Sequence, residues 1–311
     1  MYTLPFSKST EVLYYNLTEF ENNGWEVPTT WEEMMDLCQT IKLLKDGDKE
    51  KYPNIIPLGI DSEANLFITL CEQTGSPYTS ATGNHYLFNN QKNQEIVTKF
   101  RDWHQEGLFT TQKVLGSYTS SLFTATDRTK AYSFMSIGST GGASHQYPTG
   151  DAFKVGVAPV PVWEDSPLKT ISQGPSLCLF NKEDPQEVLA SWIFVKDYLL
   201  QPDFQAQFSY ASGYNPVLKS AVNGILYGQG DAGKDITYQE WLDKGEGTSS
   251  KGLIALTAKL SSTLADNYYT SPAFIGSSTA RDQVGSLFVA AITKSKSVSD
   301  AFRDAILECE D

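Results

Sequence analysis

A glycine-rich run is the part of the sequence best suited to chemistry with a ligand: GSTGGAS at residues 138–144. It follows an apolar segment that we predict to be a strand, and it precedes a predicted helical turn. Glycines let a ligand approach the backbone closely, and free N–H groups at the start of a helix attract oxygen-rich or anionic groups. Ser139 and Thr140 add hydroxyl donors. The run therefore indicates a binding turn, with a plain strand-to-helix connection as the alternative.

Two further side chains are suited to holding a polar ligand. Arg281 lies at the start of a predicted late helix, where a cation gains nothing from the helix dipole because that end of the helix is positive. Its planar guanidinium suits an anionic or hydroxylated ligand, and the alternative is an ordinary surface salt bridge. Tyr214 lies in a turn that contains Gly and Pro, at 211–217. Its ring is suited to stacking on a sugar, and the alternative is packing of the loop onto the core.

Motifs for catalysis are weak or missing. The run GQGDAGK at 228–234 matches the first seven positions of a phosphate-binding loop, but Asp235 follows where a Ser or Thr must hold magnesium, so we expect a loop without a nucleotide. The histidines, His85, His104 and His145, have no metal-ligand spacing. The sequence predicts no metal, no cofactor and no enzyme activity. A carbohydrate hydrolase that uses an unidentified pair of carboxylates is the alternative, because such pairs are assembled only in three dimensions.

Composition limits the class of protein. The chain has 311 residues, 40% of them hydrophobic and 20% charged, which is enough apolar material for a core and suggests about two globular units. Its 24 basic and 37 acidic residues give a net charge of −13. A chain this acidic repels phosphate backbones and anionic lipid, so binding to nucleic acid or to a membrane surface by charge is excluded. No apolar run approaches the roughly 20 residues of a spanning helix, so we expect no direct membrane insertion of this segment.

The cysteines are scattered and have apolar neighbours. None forms a C-x-x-C motif, and none lies near a histidine at metal-ligand spacing. We therefore expect four buried thiols that take part in neither disulfides nor a zinc site: Cys38, Cys71, Cys178 and Cys309.

Strands and helices alternate along the chain, which is typical of an α/β fold. A strand rich in β-branched and aromatic residues covers 9–16, and a helix over 31–44 has Thr30 as its N-cap and Glu33 as the capping-box partner. Further strands are predicted at 55–60, 131–135, 153–163 and 171–180, the last with a kink at Gly174 and Pro175. Further helices are predicted at 66–71, 93–106, 185–200, 253–266, 280–293 and 299–309, and loops at 45–51 and 224–252.

Taken in chain order, these segments resemble the family of extracellular solute-binding proteins that serve carbohydrate ABC importers, a group that includes the maltose- and glycerol-3-phosphate-binding proteins. Together they are similar to the family's two hinge segments, the helices that follow them and its Gly-Tyr-x-Pro turn. The matching segments are LPFSKSTEVLYYN at 4–16, PTTWEE at 28–33, VGVAPVP at 155–161, SLCLF at 176–180, ASWIFVKDYL at 190–199 and SGYNPV at 212–217.

The resemblance implies a periplasmic-binding-protein-like fold of type II, with two lobes joined by hinge strands near 5–10 and 171–177. The likeness is closest to the glycerol-3-phosphate-binding branch. Where that branch has a ligand-stacking Trp, this chain has Ala64. The resemblance therefore leaves two ligand classes as alternatives, a polyol phosphate and a neutral sugar. The residues that the resemblance and the local chemistry place in the interlobe cleft are Ser9, Ser139, Thr140, Gly174, Tyr214 and Arg281.

Family members begin with a signal peptide and most of the N-terminal lobe, whereas the first residues here, MYTLPFSK, have no such pattern. The resemblance therefore implies mainly the C-terminal lobe of an extracytoplasmic protein that is lipid-anchored through a missing N-terminus. Residues 1–176 would be the hinge strand and the first part of that lobe, 177–219 a residual piece of the N-terminal lobe, and 220–311 the helical remainder. We expect such a chain to bind ligand more weakly than the full-length protein, and the exposed apolar face of its residual piece to favour association.

The function that this resemblance implies is capture of a carbohydrate or polyol phosphate and its delivery to the transmembrane permease subunits of an ABC importer. Ligand-driven closure of the cleft would do this without breaking a bond. The competing class is the hydrolase described above. A third interpretation is a surface interaction protein without a small ligand.

Overall fold

A mixed five-stranded sheet lies at the centre of the computed structural model, which describes residues 3–163, 165–222, 240 and 248–310. Three strands are parallel to one another, and the strand that begins at Glu11 is antiparallel to both of its neighbours. The predicted α/β fold is confirmed. Across the sheet the strands follow the order Phe109–Thr111, Leu58–Ile60, Met135–Ser139, Glu11–Asn16 and Val155–Pro159.

The strand Glu11–Asn16 is buried on both faces because helices cover both sides of the sheet. Successive side chains of a strand point to opposite faces. Leu13 belongs to the larger apolar core, whereas Val12 and Tyr14 belong to a smaller cluster that includes Leu253. This double burial explains why the strand reads as a continuous β-branched and aromatic run.

Capping residues begin the helices where the sequence predicted. The Thr30 hydroxyl accepts from the Glu33 backbone N–H at 3.2 Å, and the Glu33 carboxylate accepts from the Thr30 N–H at 3.1 Å, so the capping box is confirmed. The helices are Leu17–Asn23, Trp31–Leu43, Glu63–Thr74, Gln91–Gln105, Gln112–Leu115, Ser120–Phe123, Pro185–Phe194, Pro202–Ser212, Lys219–Ala221, Ser250–Thr263, Ser277–Ile292 and Val298–Glu310, with 3-10 helices at Thr140–Gln146, Thr149–Asp151 and Ala265–Asn267 and a π-helical turn at Val195–Leu199.

The strand predicted over 131–135 lies further along the chain, at Met135–Ser139. Strand pairing decides its position, because Met135 to Ser139 pair residue by residue with Tyr15 back to Glu11. The small residues Gly138 and Ser139 therefore end the strand, and the glycine-rich turn that follows becomes a 3-10 helix.

The kink predicted at Gly174 within the strand 171–180 is a complete break, and the two short strands on either side of it belong to two different sheets. Thr170–Ile171 pairs with Tyr268–Tyr269, and Ser176–Leu177 pairs with Leu4–Pro5. Gly174 separates them with a φ of 101°, and a Cβ atom at that position would lie 2.2 Å from a backbone carbonyl oxygen. Only glycine meets both requirements, so the chain turns here instead of continuing as one strand.

Three smaller expectations are also changed or untested. Segment 45–51 is a hairpin of two short strands, Lys45–Asp46 and Lys49–Glu50, instead of a loop. Cys178 is exposed, unlike the other three thiols, because it lies in an uncovered stretch whose next residues, Leu179 and Phe180, are exposed too. The run 228–234 lies outside the described residues, as does most of the loop predicted over 224–252.

Two sets of helices cover the sheet. On one side Ser277–Ile292 packs against Glu63–Thr74, Gln91–Gln105 and Val298–Glu310. On the other side Ser250–Thr263 packs against the 3-10 helix that follows the central strand. In the described part of the chain, no helix combines the length and apolar character that crossing a membrane requires.

Candidate ligand-binding cleft

An open cleft of about 820 Å³ lies at one edge of the central sheet. The carboxyl ends of the parallel strands meet at this edge, which is where open α/β sheets bind ligands. Asp61 follows one of these strands directly, Ser139 ends the next, and Glu11 pairs with Ser139 across the sheet. The cleft walls carry hydroxyl, amide and carboxyl groups together with two tyrosines.

Two of the predicted site residues line this cleft, Ser139 and Tyr214. The Ser139 hydroxyl accepts from the Gly141 backbone N–H at 3.1 Å and so caps the 3-10 helix. A Cβ atom on Gly141 would lie 3.5 Å from the Tyr214 ring, so the ring packs over the glycine turn. The turn and the aromatic ring that the sequence singled out therefore share one surface.

Thr140 lies behind that surface and is fully buried. Its hydroxyl accepts from the Thr10 backbone N–H at 3.2 Å and from the Asn215 side-chain amide at 3.0 Å. These bonds join the glycine turn, the first hinge segment and the turn that carries Tyr214. In this structure Thr140 positions the wall of the cleft.

Ser9 and Gly174 lie at the junction of the two segments that we interpreted as hinges. The Ser9 N–H donates to the Gln173 carbonyl at 3.0 Å, and the Gln173 N–H donates to the Ser9 carbonyl at 2.9 Å. Neither Ser9 nor Gly174 is among the residues that line the cleft. The structure thus brings the two segments side by side, at a place next to the cleft wall.

Arg281 is one side chain removed from the cleft. Its guanidinium donates to the side-chain oxygen of Asn65 (Oδ1), and the side-chain nitrogen of Asn65 donates to the Glu11 carboxylate at 2.8 Å and to the Gln173 side-chain oxygen at 3.2 Å. Asn65 and Glu11 line the cleft. Arg281 therefore makes neither a surface salt bridge nor a direct wall, and ligand contact by the six predicted residues stays a prediction.

Ala64 lies at the position where the resembling branch has a stacking Trp. A Cβ atom on Gly285 would lie 3.5 Å from the Ala64 Cβ, so the two helices that carry these residues are in close contact here. Ala64 is not among the lining residues. The described lining residues include two tyrosines, Tyr118 and Tyr214.

Sequence reasoning missed Glu11, which is buried in the wall. Burial raises its pKa to about 7; the hydrogen bond from Asn65 and the charge of Arg281 oppose that rise, and the negative charge of Asp61 adds to it. A carboxyl group at the start of an otherwise apolar strand was the available signal, because such a group must be paired or lie at a site.

Asp61 was also missed, although its place directly after a buried parallel strand could have revealed it. Its carboxylate accepts from both the backbone N–H and the hydroxyl of Thr119, each at 2.7 Å. Burial raises its pKa, and the Thr119 hydrogen bonds oppose the rise. Gly59 makes the arrangement possible, since a Cβ atom there would lie 2.5 Å from Thr119.

Gln146 carries a buried polar atom without a partner. Its side chain is 2% exposed and lines the cleft, its amide nitrogen lies 3.4 Å from Asp61, and its Oε1 accepts no hydrogen bond. Nothing in the sequence pointed to this residue. Within the described ranges, no three His, Cys, Asp or Glu side chains are grouped so as to hold a metal ion.

Comparison with known proteins identifies the family. Residues 1–235 match the sequence profile of the bacterial extracellular solute-binding proteins. The chain belongs to this family. Its extracytoplasmic character, predicted from the resemblance, follows from that membership.

Curated relatives of this family member are distant. Over 266 residues it is 26% identical to the sn-glycerol-3-phosphate-binding periplasmic protein UgpB of Escherichia coli (strain K12). The aligned region covers 80% of this chain and 57% of that relative. The same identity and coverage hold for UgpB of Shigella flexneri. The chain therefore spans little more than half the length of the curated relatives it matches.

Solved structures share the fold of this family member. Maltose-bound T. maritima MalE3 has a TM-score of 0.70 and 16% identity, covering 99% of this chain and 72% of that one. UgpB from Mycobacterium tuberculosis in complex with glycerophosphocholine has a TM-score of 0.68 and 16% identity, and the superposition covers 99% of this chain and 70% of that one. The predicted periplasmic-binding-protein-like fold is confirmed.

Proposed function

We propose that this chain is the solute-binding component of an ABC importer. It captures a sugar or a polyol phosphate in the cleft and delivers it unchanged to the membrane permease subunits. The observation that carries the proposal is the polar cleft of about 820 Å³ at the carboxyl edge of the sheet, in a chain of the extracellular solute-binding family. A few fixed polar groups and an aromatic surface are what a hydroxyl-rich ligand requires, and Ser139 and Tyr214 contribute to that set. No cofactor or metal enters this mechanism.

Closure of the cleft is the step that would couple binding to delivery. Adjacent hinge segments that absorb backbone rotation are the usual device for such closure. The paired segments around Ser9 and Gln173 support this role, because they lie side by side and next to the cleft. In this proposal Ser9 and Gly174 act at the hinge, and Arg281 acts through Asn65. The protein works outside the cytoplasmic membrane, held there by a lipid anchor.

The division into lobes is part of the same proposal. Residues 1–176 and 220–311 form the C-terminal lobe, and 177–219 belong to the opposite lobe. The helix Pro185–Phe194 supports this division because none of its residues is buried, and its exposed side chains include Trp192 and Ile193. A large apolar surface of this kind marks a contact with another body of protein.

A thermal-shift screen of the full-length protein against neutral sugars, polyols and sn-glycerol 3-phosphate tests the function. We expect at least one solute to raise the melting temperature, and Tyr214→Ala to weaken its binding about ten-fold, because a stacked aromatic ring contributes about 1 kcal/mol or more. Tyr86→Ala is the matched control, since Tyr86 is half-buried, lies outside the cleft and is not part of segment 177–219. Absence of any shift across the panel would contradict the proposal and favour an interaction protein without a small ligand.

A carbohydrate hydrolase is the second candidate, and one observation favours it. Glu11 and Asp61 both line the cleft and both have a raised carboxyl pKa, as the acid of a glycosidase requires. Asp61, however, is held by two hydrogen bonds from Thr119. Incubation with chromogenic glycosides separates the two functions, because turnover that is lost in Glu11→Gln would establish the enzyme.

A further inference from the structure

The described wall of the cleft holds two carboxyl groups among hydroxyl and amide side chains and the exposed imidazole of His145. None of its described lining residues is Lys or Arg, whereas two are the carboxyl residues Glu11 and Asp61. The guanidinium of Arg281 is engaged by Asn65 behind the wall. An anion that enters such a cavity is repelled by carboxylates that water screens only weakly.

One feature of the wall works in the opposite direction. The helix Glu63–Thr74 directs its N-terminus at the cleft, where Ser62 caps it by accepting from the Asn65 N–H at 3.2 Å. A helix N-terminus carries the equivalent of about half a positive charge. The Arg281 guanidinium behind the wall adds one positive charge, because its partner Asn65 is neutral. The balance of the wall against an anion is therefore negative only when Glu11 and Asp61 are both ionised, which for Glu11 requires a pH above its raised pKa of about 7.

The unpartnered oxygen of Gln146 is an independent sign of a ligand. This side chain is nearly fully buried and lines the cleft, and no donor among the described residues reaches its Oε1. A buried amide oxygen of this kind requires a hydrogen-bond donor. A ligand hydroxyl can donate to it, whereas the terminal oxygens of a phosphate dianion cannot.

The backbone beneath these groups is shaped to bring them together. A Cβ atom on Gly138 would lie 2.8 Å from the Gln146 amide nitrogen and 2.9 Å from the Asp61 carboxylate. The glycine therefore leaves the space in which Asp61 and Gln146 meet. Glu11 lies on the neighbouring strand, paired with Ser139, and accepts a single side-chain hydrogen bond among the described residues, from Asn65.

We infer that Glu11, Asp61 and Gln146 form a set of acceptors that selects an uncharged polyhydroxylated solute, a sugar or a polyol, over one that carries a phosphate. This inference rests on the proposed function and narrows its ligand class. Ligand hydroxyls donate to the carboxylate and amide oxygens, and these charge-assisted bonds are stronger than neutral ones. A phosphate monoester at neutral pH has almost no proton to donate and adds repulsion.

The test compares neutral and phosphorylated probes on the full-length protein. Titration calorimetry at pH 8 and low salt would use maltose, ribitol and glucose as neutral probes, and sn-glycerol 3-phosphate and inorganic phosphate as anionic ones. We expect a neutral probe to bind at least about ten-fold more tightly than either anionic probe. Asp61→Asn and Glu11→Gln should each narrow that preference about ten-fold, because each removes a negative charge but keeps an acceptor oxygen.

Gln146→Met keeps the test decisive if the carboxyl variants fold poorly. It conserves volume and removes an oxygen that no protein group satisfies, so we expect the melting temperature to be kept and the affinity for the neutral probe to fall about ten-fold. Glu72→Gln is the matched control, because Glu72 is a half-buried carboxyl outside the cleft, and it should leave the preference unchanged.

The possible outcomes separate this inference from the proposed function. Tight binding of sn-glycerol 3-phosphate without binding of the neutral probes overturns the inference but leaves a solute-binding protein. A preference for neutral probes that survives all three cleft variants also overturns it, because the selecting groups would then lie elsewhere. If no probe binds, both the inference and the proposed function fail.

Discussion

Two apolar helices of this chain lie in opposite environments. Ser277–Ile292 packs against three other helices, and Phe288 within it is fully buried against Phe100, with ring centroids 5.7 Å apart. Pro185–Phe194 has no buried residue, and its Phe194 is 55% exposed and stacks only on Tyr198. Apolar composition therefore does not by itself place a helix in a core; a helix is buried only where neighbouring elements offer a matching face.

The largest difference between the two helices should appear in stability. We expect Phe288→Ala to lower the free energy of unfolding by about 3–5 kcal/mol, because it leaves a cavity in a packed core. Phe194→Ala in this chain should change it by about 0.5 kcal/mol or less, since the ring is largely in solvent. Urea denaturation of both variants measures the difference, and equal losses would show that the open helix is packed in solution.

A second prediction concerns Gly174, where the chain leaves the packed part of the molecule and continues towards the uncovered helix Pro185–Phe194. Gly174→Ala should destabilise the chain by about 2–3 kcal/mol, because its φ of 101° strains any L side chain and its Cβ would meet the Ser7 carbonyl oxygen at 2.2 Å. Gly116→Ala is the matched control. Gly116 has a φ of 78° but no atom within 4 Å of a Cβ, so it reports the backbone strain alone, about 1 kcal/mol. Similar losses in the two variants would contradict the close approach at Gly174.

The smallest of the three effects is a pH dependence that originates in the cleft wall. Burial raises the pKa of Glu11 to about 7, so the folded state favours the protonated carboxyl. The corresponding stability is fully present below the unfolded pKa of about 4.5 and is lost as pH rises through about 7. The groups that face Glu11 are Asn65, Arg281 and Asp61.

Thermal unfolding of the parent chain and Glu11→Gln between pH 5 and pH 8 measures this effect. As pH rises from 5 to 8, the free energy of unfolding of the parent should fall by up to about 2 kcal/mol more than that of the variant. Glu187→Gln, on the open helix, should follow the parent, because Glu187 is exposed. Parallel curves for the parent and Glu11→Gln would show that Glu11 does not titrate in this range.

Much of the scaffold was readable in the sequence because its signals are local. The capping box at Thr30 and Glu33, the proline start at Pro185 and the late helices depend on residues within a few positions of one another. Strand limits were less predictable, because Met135–Ser139 is set by its pairing with the strand Glu11–Asn16, more than 100 positions away in the chain. The sequence indicated the kink at Gly174, but not that the strands on either side of it join different sheets.

The candidate site shows the same division. Ser139 and Tyr214 were recognisable from a glycine-rich turn and an aromatic residue in a loop, and the structure brings them to one cleft. Gln146 was not recognisable, because its significance is an unsatisfied oxygen that exists only once the side chain is buried. Arg281 reads in the sequence as a free cation, and only the fold shows its guanidinium bonded to Asn65.

The sequence by itself determined the α/β class, the capping box at Thr30 and the family resemblance, since these follow from local spacing, capping and ordered motifs. Only the tertiary structure decided which polar groups share a cleft and which apolar helix is left uncovered. The physical reason is that burial and hydrogen-bond satisfaction are properties of neighbours in space. Glu11, Asp61 and Gln146 are separated by 50 and 85 positions in the chain, and they line one cleft only because the sheet aligns the strand ends at or near which they lie.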